Sequence, residues 1–120
     1  MKILTVDDAA TVRQLVKNIL QPLGHQIIEA SNGREALEVV ERHPDTEVIL
    51  LDWEMPEMDG LSFLKHVRQN KLLPDTSIIM LTSLNKPEQI LDALENGADE
   101  YIMKPFTEEI ILEKLKLKET

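Results

Sequence analysis

Cysteine is absent from the 120-residue sequence, and aromatic residues make up only 3% of it. Without thiols the chain has neither disulfides nor a thiolate metal site, and nothing in it requires an oxidising compartment. Long apolar runs are also missing, since none exceeds five residues, too few to cross a bilayer or to form the core of a signal peptide. These absences predict a cytoplasmic protein.

Basic residues are scarce relative to acidic ones. Thirteen Lys and Arg stand against 22 Asp and Glu, which leaves a formal net charge of −9. Such a charge repels phosphate backbones and anionic lipid, and it favours cations or basic partners. We therefore expect neither nucleic acid nor a membrane as a direct ligand.

Short apolar runs alternate with longer segments of helical period, and this alternation predicts repeated βα units around a parallel sheet. With 42% hydrophobic residues the chain can fill one core, so we expect a single α/β domain over residues 1–120. The candidate strands are KILTV (2–6), HQIIEA (25–30), EVILL (47–51), SIIML (77–81) and EYIM (100–103). The predicted helices have apolar faces formed by Val12, Leu15, Val16, Ile19 and Leu20; by Ala36, Leu37 and Val40; by Leu61, Leu64 and Val67; by Ile90, Leu91 and Leu94; and by Ile110, Ile111, Leu112 and Leu115.

Capping residues mark where these helices should begin and end. Gly24 and Gly97 follow the first and fourth predicted helices, where a residue that tolerates positive φ ends a helix readily. Four helix starts have a polar residue suited to an N-cap, two of them with the spacing of a capping box. The capping candidates are Asn32 with Glu35, Asn85 with Glu88, Asp59, and Thr107.

Polar residues follow several of the apolar runs, at the points where the predicted strands end. Because parallel strands all run the same way, these residues should lie along one edge of the sheet, outside its carboxyl ends. Taken singly, each has an ordinary structural explanation, such as a helix cap, a turn or a surface ion pair. Together they place three carboxylates at one edge, where they would repel one another unless a cation lay among them. The residues are Asp7, Asp8, Asp52, Thr82, Ser83 and Lys104.

The side chains at this edge indicate which ligand to expect. Oxygen ligands without histidine or cysteine select a hard cation, and two or three carboxylates with room for water suit Mg²⁺ better than Ca²⁺. A lysine ammonium and a threonine hydroxyl can bind phosphoryl oxygens, and an aspartate carboxylate can attack phosphorus. The edge therefore has the groups that phosphoryl transfer requires.

Four segments of this sequence, in this order and at this spacing, resemble the receiver domains of two-component response regulators, most closely their single-domain chemotaxis members. The resemblance covers the whole chain. It implies a doubly wound (βα)5 flavodoxin-like fold, with a parallel sheet of order 2-1-3-4-5 and helices on both faces. The segments are VDD (6–8), LLDWEMPEMDG (50–60), LTS (81–83) and GADEYIMKPFT (97–107).

The resemblance implies a phosphoacceptor and a metal site. Asp52 resembles the aspartate that takes a phosphoryl group from a histidine on a partner kinase. Asp8 and Asp52 resemble direct Mg²⁺ ligands. Asp7 is expected to act through water, and Glu54 to contribute its backbone carbonyl. Such a receiver accepts phosphoryl groups from small donors and dephosphorylates itself, but it is not a turnover enzyme.

Lys104 resembles the lysine that pairs with the phosphoacceptor and then with the phosphoryl group. Thr82 is expected to bind another phosphoryl oxygen. By the same resemblance the bond before Pro105 is expected to be cis, which would help to direct Lys104 into the site.

Thr82 and Tyr101 resemble the switch pair of the family. On phosphorylation the hydroxyl moves toward the phosphoryl group and the aromatic ring turns inward, which changes a surface made by the fourth helix, fifth strand and fifth helix. The resemblance implies a target protein that binds this surface, such as a flagellar motor switch component or another effector. It is also compatible with a phosphatase as a further partner of the chain. Glu54 and Leu84 occupy the two positions that tune the phosphoryl lifetime, and we expect slow self-dephosphorylation.

Other residues near these motifs receive different interpretations. Trp53 adjoins Asp52 and should report optically on the site. Met55 and Met58 are expected to pack rather than to bind a ligand.

The three histidines are not placed to donate a phosphoryl group to Asp52. His25 and His43 precede strands and so belong at the opposite edge of the sheet, while His66 lies within the third helix. The donor should therefore be another protein.

Other functions remain open on the sequence. The chain could be a stand-alone, monomeric receiver, a receiver excised from a larger regulator, or a phosphorelay intermediate. From other classes, an aspartyl phosphatase of the haloacid dehalogenase type shares the nucleophile and Mg²⁺, but Glu54 stands where its second motif aspartate would be. An FMN carrier would need a phosphate-binding loop after the first strand, and none is present.

Overall fold

Strands and helices alternate along the chain in the computed structural model, which describes residues 1–119 and the side chains of residues 1–117. Each of the predicted strands is confirmed. They are β1 (Lys2–Val6), β2 (Gln26–Ala30), β3 (Val48–Leu51), β4 (Ser77–Thr82) and β5 (Glu100–Met103).

A helix follows every strand, as the apolar periodicity predicts. A short 3-10 turn (Gln21–Leu23) extends the first helix and ends at Gly24, whose φ of +93° is one that glycine adopts without a steric penalty. Among the described residues, none of these helices has the length and apolar character that crossing a membrane requires. The helices are α1 (Ala10–Leu20), α2 (Gly33–Arg42), α3 (Gly60–Gln69), α4 (Pro87–Glu95) and α5 (Glu108–Glu119).

The strands form one parallel sheet of order β2-β1-β3-β4-β5, which confirms the order implied by the resemblance. In the register between β1 and β3, Val6 lies opposite Leu51. The next residues, Asp7 and Asp52, therefore leave neighbouring strands side by side. The sheet topology alone brings these two carboxylates together.

Strand β3 is buried along its whole length and contributes to both halves of the core. Because side chains alternate across a strand, Val48 and Leu50 pack with α1 and α5 on one face, while Ile49 and Leu51 pack with α2 and α3 on the other. Helices on both faces explain why this strand has no polar residue, and why the first one, Asp52, comes directly after its end.

Three of the predicted helix caps are confirmed by hydrogen bonds. The Asn32 side chain accepts from the Glu35 N–H at 2.8 Å, and the Asp59 carboxylate accepts from the Ser62 N–H at 2.8 Å. The Thr107 hydroxyl accepts from the backbone N–H three residues later, at 3.2 Å. These side chains satisfy N–H groups that have no partner within the helix.

The predicted cap of α4 was wrong by one residue. Lys86, not Asn85, is the N-cap, and its N–H donates to Gln89 Oε1 at 3.2 Å in place of the expected pairing with Glu88. Pro87 explains the shift, because proline is favoured at the first helical position, where its missing N–H has no partner to lose.

Three leucines assigned to apolar helix faces are exposed instead. Leu15 on α1 is 46% exposed, and on α4 Leu91 is 55% and Leu94 41% exposed. The only buried residue of α4 is Ala93, so this helix rests on the sheet through a narrow contact. Apolar spacing identified the helix but did not determine how much of its apolar surface is covered.

Candidate functional site

The carboxylates of Asp7, Asp8 and Asp52 converge at the carboxyl edge of the sheet. One oxygen from each lies within 4.8 Å of the others, and Asp7 and Asp52 are buried while Asp8 is exposed. The predicted convergence is thus confirmed. A set of carboxylate oxygens with one exposed member fits a hard, partly hydrated cation such as Mg²⁺.

Lys104 lies between two of these carboxylates. It follows β5, its N–H donates to the Thr82 carbonyl at 2.9 Å, and the bond to Pro105 is cis, as expected. Its Nζ donates to Asp7 Oδ2 at 2.7 Å and to Asp52 Oδ2 at 3.4 Å. One ammonium therefore pairs with two of the three carboxylates, and negative charge remains in excess.

The electrostatics of the site are set by burial and by this crowding. Burial raises the pKa of Asp52, and the charge of Asp7 raises it further, against the opposing effects of Lys104 and of hydrogen bonds from Thr82 and Trp53. Burial disfavours the ammonium of Lys104, but its hydrogen bond to Asp7 and the charge of Asp52 outweigh that effect and raise its pKa. Lys104 is therefore a cation at neutral pH.

Thr82, Leu84 and Tyr101 form a hydrogen-bonded connection beside Asp52. The Leu84 N–H donates to Thr82 Oγ1 at 3.4 Å, and the Tyr101 hydroxyl donates to the Leu84 carbonyl at 2.7 Å. Burial, and next the charge of Asp52, raise the pKa of Tyr101. The backbone of Leu84 thus joins the two residues predicted to act as a switch.

The loop after β3 contacts the second carboxylate oxygen of Asp52, the one that Lys104 does not contact. The Trp53 N–H donates to Asp52 Oδ1 at 2.8 Å, and the Gly60 N–H donates to the Trp53 carbonyl at 2.8 Å. A Cβ atom on Gly60 would lie 2.0 Å from the Asp52 carbonyl oxygen, so only glycine fits. Trp53 is half-buried next to the site, and Glu54 is exposed.

Arg13, which was not among the residues predicted from the sequence, also contacts the site. Its Nη1 donates to the Asp7 carbonyl at 2.5 Å. One signal was present: Arg13 is the fourth residue of α1, and a cation near the start of a helix is disfavoured by the helix dipole unless another contact compensates.

The histidines lie outside the acidic site, as expected. His25 Nδ1 is 3.0 Å from the N-terminal nitrogen, and His43 Nδ1 is 3.2 Å from Lys2 Nζ. His66 borders a groove of about 580 Å³ beside α2 and α3, whose other lining residues include Leu37 and Leu72. None of the acidic-site residues lines that groove.

The fold and the acidic edge together define a doubly wound α/β protein of the flavodoxin-like class, with a cluster of carboxylates at one edge of the sheet that could hold a metal ion. The family model of the response regulator receiver domain matches residues 3–116. The chain belongs to this family, and it is a CheY-like receiver of two-component signalling. This membership favours the receiver interpretation over the aspartyl phosphatase and the FMN carrier.

Similar proteins support membership of the same family. The chain is 43% identical over 117 residues to the chemotaxis protein CheY homolog of Campylobacter jejuni, an alignment that covers 97% of this chain and 90% of the relative. It is 37% identical to the chemotaxis response regulator CheY4 of Vibrio cholerae, with a TM-score of 0.89 over 98% of this chain and 97% of that structure. A chain of the CheX–CheY–BeF₃–Mg²⁺ complex from Borrelia burgdorferi is 31% identical, with a TM-score of 0.89 over 100% and 90% of the two chains.

Proposed function

We propose that residues 1–120 act as one receiver domain that accepts a phosphoryl group on Asp52 from a histidine kinase, in a Mg²⁺-dependent reaction, and then binds a target protein. One observation carries the proposal: the buried Asp52 carboxylate lies within 4.8 Å of those of Asp7 and Asp8 and is contacted by Lys104 Nζ at 3.4 Å. A nucleophile, a metal site and a cation for the phosphoryl group thus occur at one edge.

Mg²⁺ would be held by Asp8 and Asp52 directly, by Asp7 through water, and by the backbone carbonyl of Glu54. The donor set supports this assignment, because it consists of oxygens alone and includes the exposed Asp8. Bound there, the ion would neutralise charge on the transferring group. The Borrelia burgdorferi complex, which contains Mg²⁺ by its description, is a similar chain.

The transfer itself requires little of the protein beyond position and charge. A carboxylate oxygen of Asp52 attacks phosphorus, the P–N bond of the donor phosphohistidine breaks, and the imidazole keeps the electron pair and takes up a proton. With acetyl phosphate the P–O bond breaks and acetate leaves. Lys104 pairs with one phosphoryl oxygen of the product, and the Thr82 hydroxyl donates to another.

The signal leaves the site through Thr82 and Tyr101. Both contact the backbone of Leu84, so movement of the Thr82 hydroxyl toward a phosphoryl group changes the same loop that holds the tyrosine. The target surface is α4, β5 and α5, where four apolar side chains are exposed and available to a partner such as a motor switch component or another effector. They are Leu91 (55%), Leu94 (41%), Met103 (48%) and Leu117 (61%).

We also assign the chain a phosphatase partner and slow self-dephosphorylation. Exposed Glu54 can shield the acyl phosphate, and half-buried Leu84 has no polar side-chain group to orient an attacking water. Both Glu54→Asn and Leu84→Glu should therefore speed the decay of the phosphorylated protein, by up to about tenfold. Decay can be followed by intact mass after removal of the donor, and unchanged rates in both variants would contradict the assignment.

The proposal is tested by mixing the protein with Mg²⁺ and acetyl phosphate and measuring intact mass. We expect one added phosphoryl group, lost with EDTA and in Asp52→Asn but kept in Asp45→Asn, whose carboxylate pairs with Lys2 at the opposite edge. No phosphoryl mass on the wild type would overturn the proposal. Steady hydrolysis of a small phosphomonoester would instead favour the phosphatase class.

A further inference from the structure

Arg13 contacts the backbone of the acidic site rather than its carboxylates. Its Nη1 donates to the Asp7 carbonyl at 2.5 Å, while its Nε donates to Glu29 Oε1 at 3.1 Å. The second oxygen of Glu29 accepts from Lys17 Nζ at 3.3 Å. Glu29 on β2 therefore fixes the guanidinium of Arg13 on α1. The Arg13 side chain is only 18% exposed, and its guanidinium reaches across to the end of β1.

Asp7 is held at every polar atom. Its N–H donates to the Ala30 carbonyl at 3.1 Å, and its Oδ1 accepts from the Ala9 N–H at 2.9 Å. Its Oδ2 accepts from Lys104 Nζ at 2.7 Å. The remaining atom is the carbonyl oxygen, which belongs to the peptide group between Asp7 and Asp8 and is the one that Arg13 holds.

We propose that Arg13 is a positioning residue of the metal site: by fixing the peptide group between Asp7 and Asp8, it directs both carboxylates toward a divalent cation. Rotation of that peptide group would move Asp8, which is exposed and gains less support from packing. The inference rests on the proposed function, because it assumes that these carboxylates bind Mg²⁺. Groups that orient metal ligands affect affinity strongly, typically by tenfold or more on removal.

Charge and position predict opposite results for substitutions of Arg13. Removing a cation beside the site would by itself strengthen binding of Mg²⁺, whereas releasing the peptide group would weaken it. Lysine keeps the charge but has one donor centre in place of the planar fork, so it cannot reproduce the contacts to both Asp7 and Glu29. If Arg13 acts by position, Arg13→Lys and Arg13→Gln should both bind Mg²⁺ about tenfold more weakly.

The experiment titrates Mg²⁺ alone by Trp53 fluorescence and by calorimetry, and measures urea unfolding of the same proteins. The matched control is Arg68→Lys. Like Arg13, Arg68 donates to backbone carbonyls and has a similarly buried side chain, 20% exposed, but it lies away from the acidic edge. The carbonyls are those of Gly97, Leu73 and Thr76. This control should lose stability without losing Mg²⁺ affinity. Should Arg13→Lys fail to fold, Glu29→Ala, which removes the oxygen that accepts from Arg13 Nε, is expected to weaken Mg²⁺ binding in the same direction.

The outcomes separate this inference from the function on which it rests. Wild-type affinity in Arg13→Lys, or tighter binding in Arg13→Gln, would overturn the positioning role and leave the metal site intact. An equal loss of affinity in Arg68→Lys would overturn it as well, because the effect would then follow general stability. Absence of saturable binding in the wild type would overturn the proposed metal site, and this inference with it.

Discussion

Asp52 is a charged side chain in a place that disfavours charge. It is 7% exposed and shares the edge with Asp7, and Lys104 compensates only part of the resulting repulsion. A buried carboxylate with a raised pKa is typical of functional sites, because it is stabilised when a cation or a new bond removes the excess charge. The charge repulsion that costs the folded state stability would therefore be relieved by the cation and the phosphoryl group proposed to bind at Asp52.

This cost should be measurable as a pH dependence of stability. The folded-state pKa of Asp52 is raised. Between its unfolded pKa of about 3.9 and that raised value, the folded state binds more protons than the unfolded state, so stability falls as pH rises through this window. Asp52→Asn cannot ionise and should be more stable than the wild type at neutral pH, with the gain vanishing below about pH 3.9.

Urea unfolding in EDTA across this pH range checks the prediction. Asp45→Asn is the control with the opposite sign, because a hydrogen bond from Lys2 lowers the pKa of Asp45, a fully exposed residue. That substitution should give no gain at neutral pH. An Asp52→Asn variant less stable than the wild type at neutral pH would contradict the account of Asp52.

For single residues, the sequence predicted which side chains come together at the site, but not which backbone carbonyls accept hydrogen bonds from side chains there. Residues that follow parallel strands share an edge, so the convergence of Asp7, Asp52 and Lys104 could be inferred from their positions. The contacts of Arg13 with the Asp7 carbonyl and of Tyr101 with the Leu84 carbonyl could not. They depend on the direction of single peptide groups, which residue type does not encode.

Among the elements, helix starts offer a direct comparison between two asparagines. Asn32 caps α2 through the Glu35 N–H, whereas Asn85 lies one residue before the true cap of α4. Asn32→Ala should therefore destabilise the fold by about 1 kcal/mol, and Asn85→Ala should change it by less than about 0.5 kcal/mol. Chemical denaturation of both variants tests this, and equal effects would contradict the assigned caps.

The error at α4 shows what a capping pattern leaves undetermined. Asn85 and Glu88 have the correct spacing, but so do Lys86 and Gln89, and Pro87 decides between them because it fits best at the first helical position. Similarly, Leu91 and Leu94 satisfy a helical period while remaining exposed, since burial depends on the neighbours that the fold supplies. The helical spacing of the apolar residues predicted the helix, and tertiary packing determined which of its faces is exposed.

The turn into α3 should tolerate less change than the turn after α1. A Cβ on Gly60 would meet the Asp52 carbonyl oxygen at 2.0 Å, and backbone cannot move aside as a flexible side chain can. Gly24, at φ +93°, has nothing within 4 Å of such an atom. We expect Gly60→Ala to destabilise by more than about 3 kcal/mol and Gly24→Ala by about 1–2 kcal/mol.

Urea unfolding of the two alanine variants measures this difference. Only Gly60→Ala should also change Trp53 fluorescence, because Gly60 donates to the Trp53 carbonyl. A Gly60→Ala protein as stable as Gly24→Ala would mean that the loop after β3 can move away from Asp52. The close approach of Gly60 to the Asp52 carbonyl oxygen would then not be what requires glycine at this turn.

For the whole molecule, the sequence predicted the class of fold well because its signals repeat. Five strands, each followed by a helix, leave few arrangements of a parallel sheet, and the family resemblance supplied the order that is found. The net charge of −9 was equally plain. The sequence also placed three carboxylates at one edge of the sheet, but the distance of 4.8 Å within which their oxygens lie required the structure.

A specific metal site and general charge repulsion make different predictions for thermal stability. If Mg²⁺ binds the acidic edge of the folded state, then at a hundred times its Kd it stabilises the protein by about 2.7 kcal/mol, which for a domain of this size raises Tm by roughly 10 °C. Potassium chloride at equal ionic strength screens the same net charge but should raise Tm much less, because screening acts weakly on contacts within a partly buried cluster. Asp8→Asn should lose most of the Mg²⁺ effect while keeping the response to potassium. If potassium chloride matched Mg²⁺, or if Asp8→Asn responded as the wild type does, the stabilisation would be a property of the whole charged surface, and the acidic edge would not be a metal site.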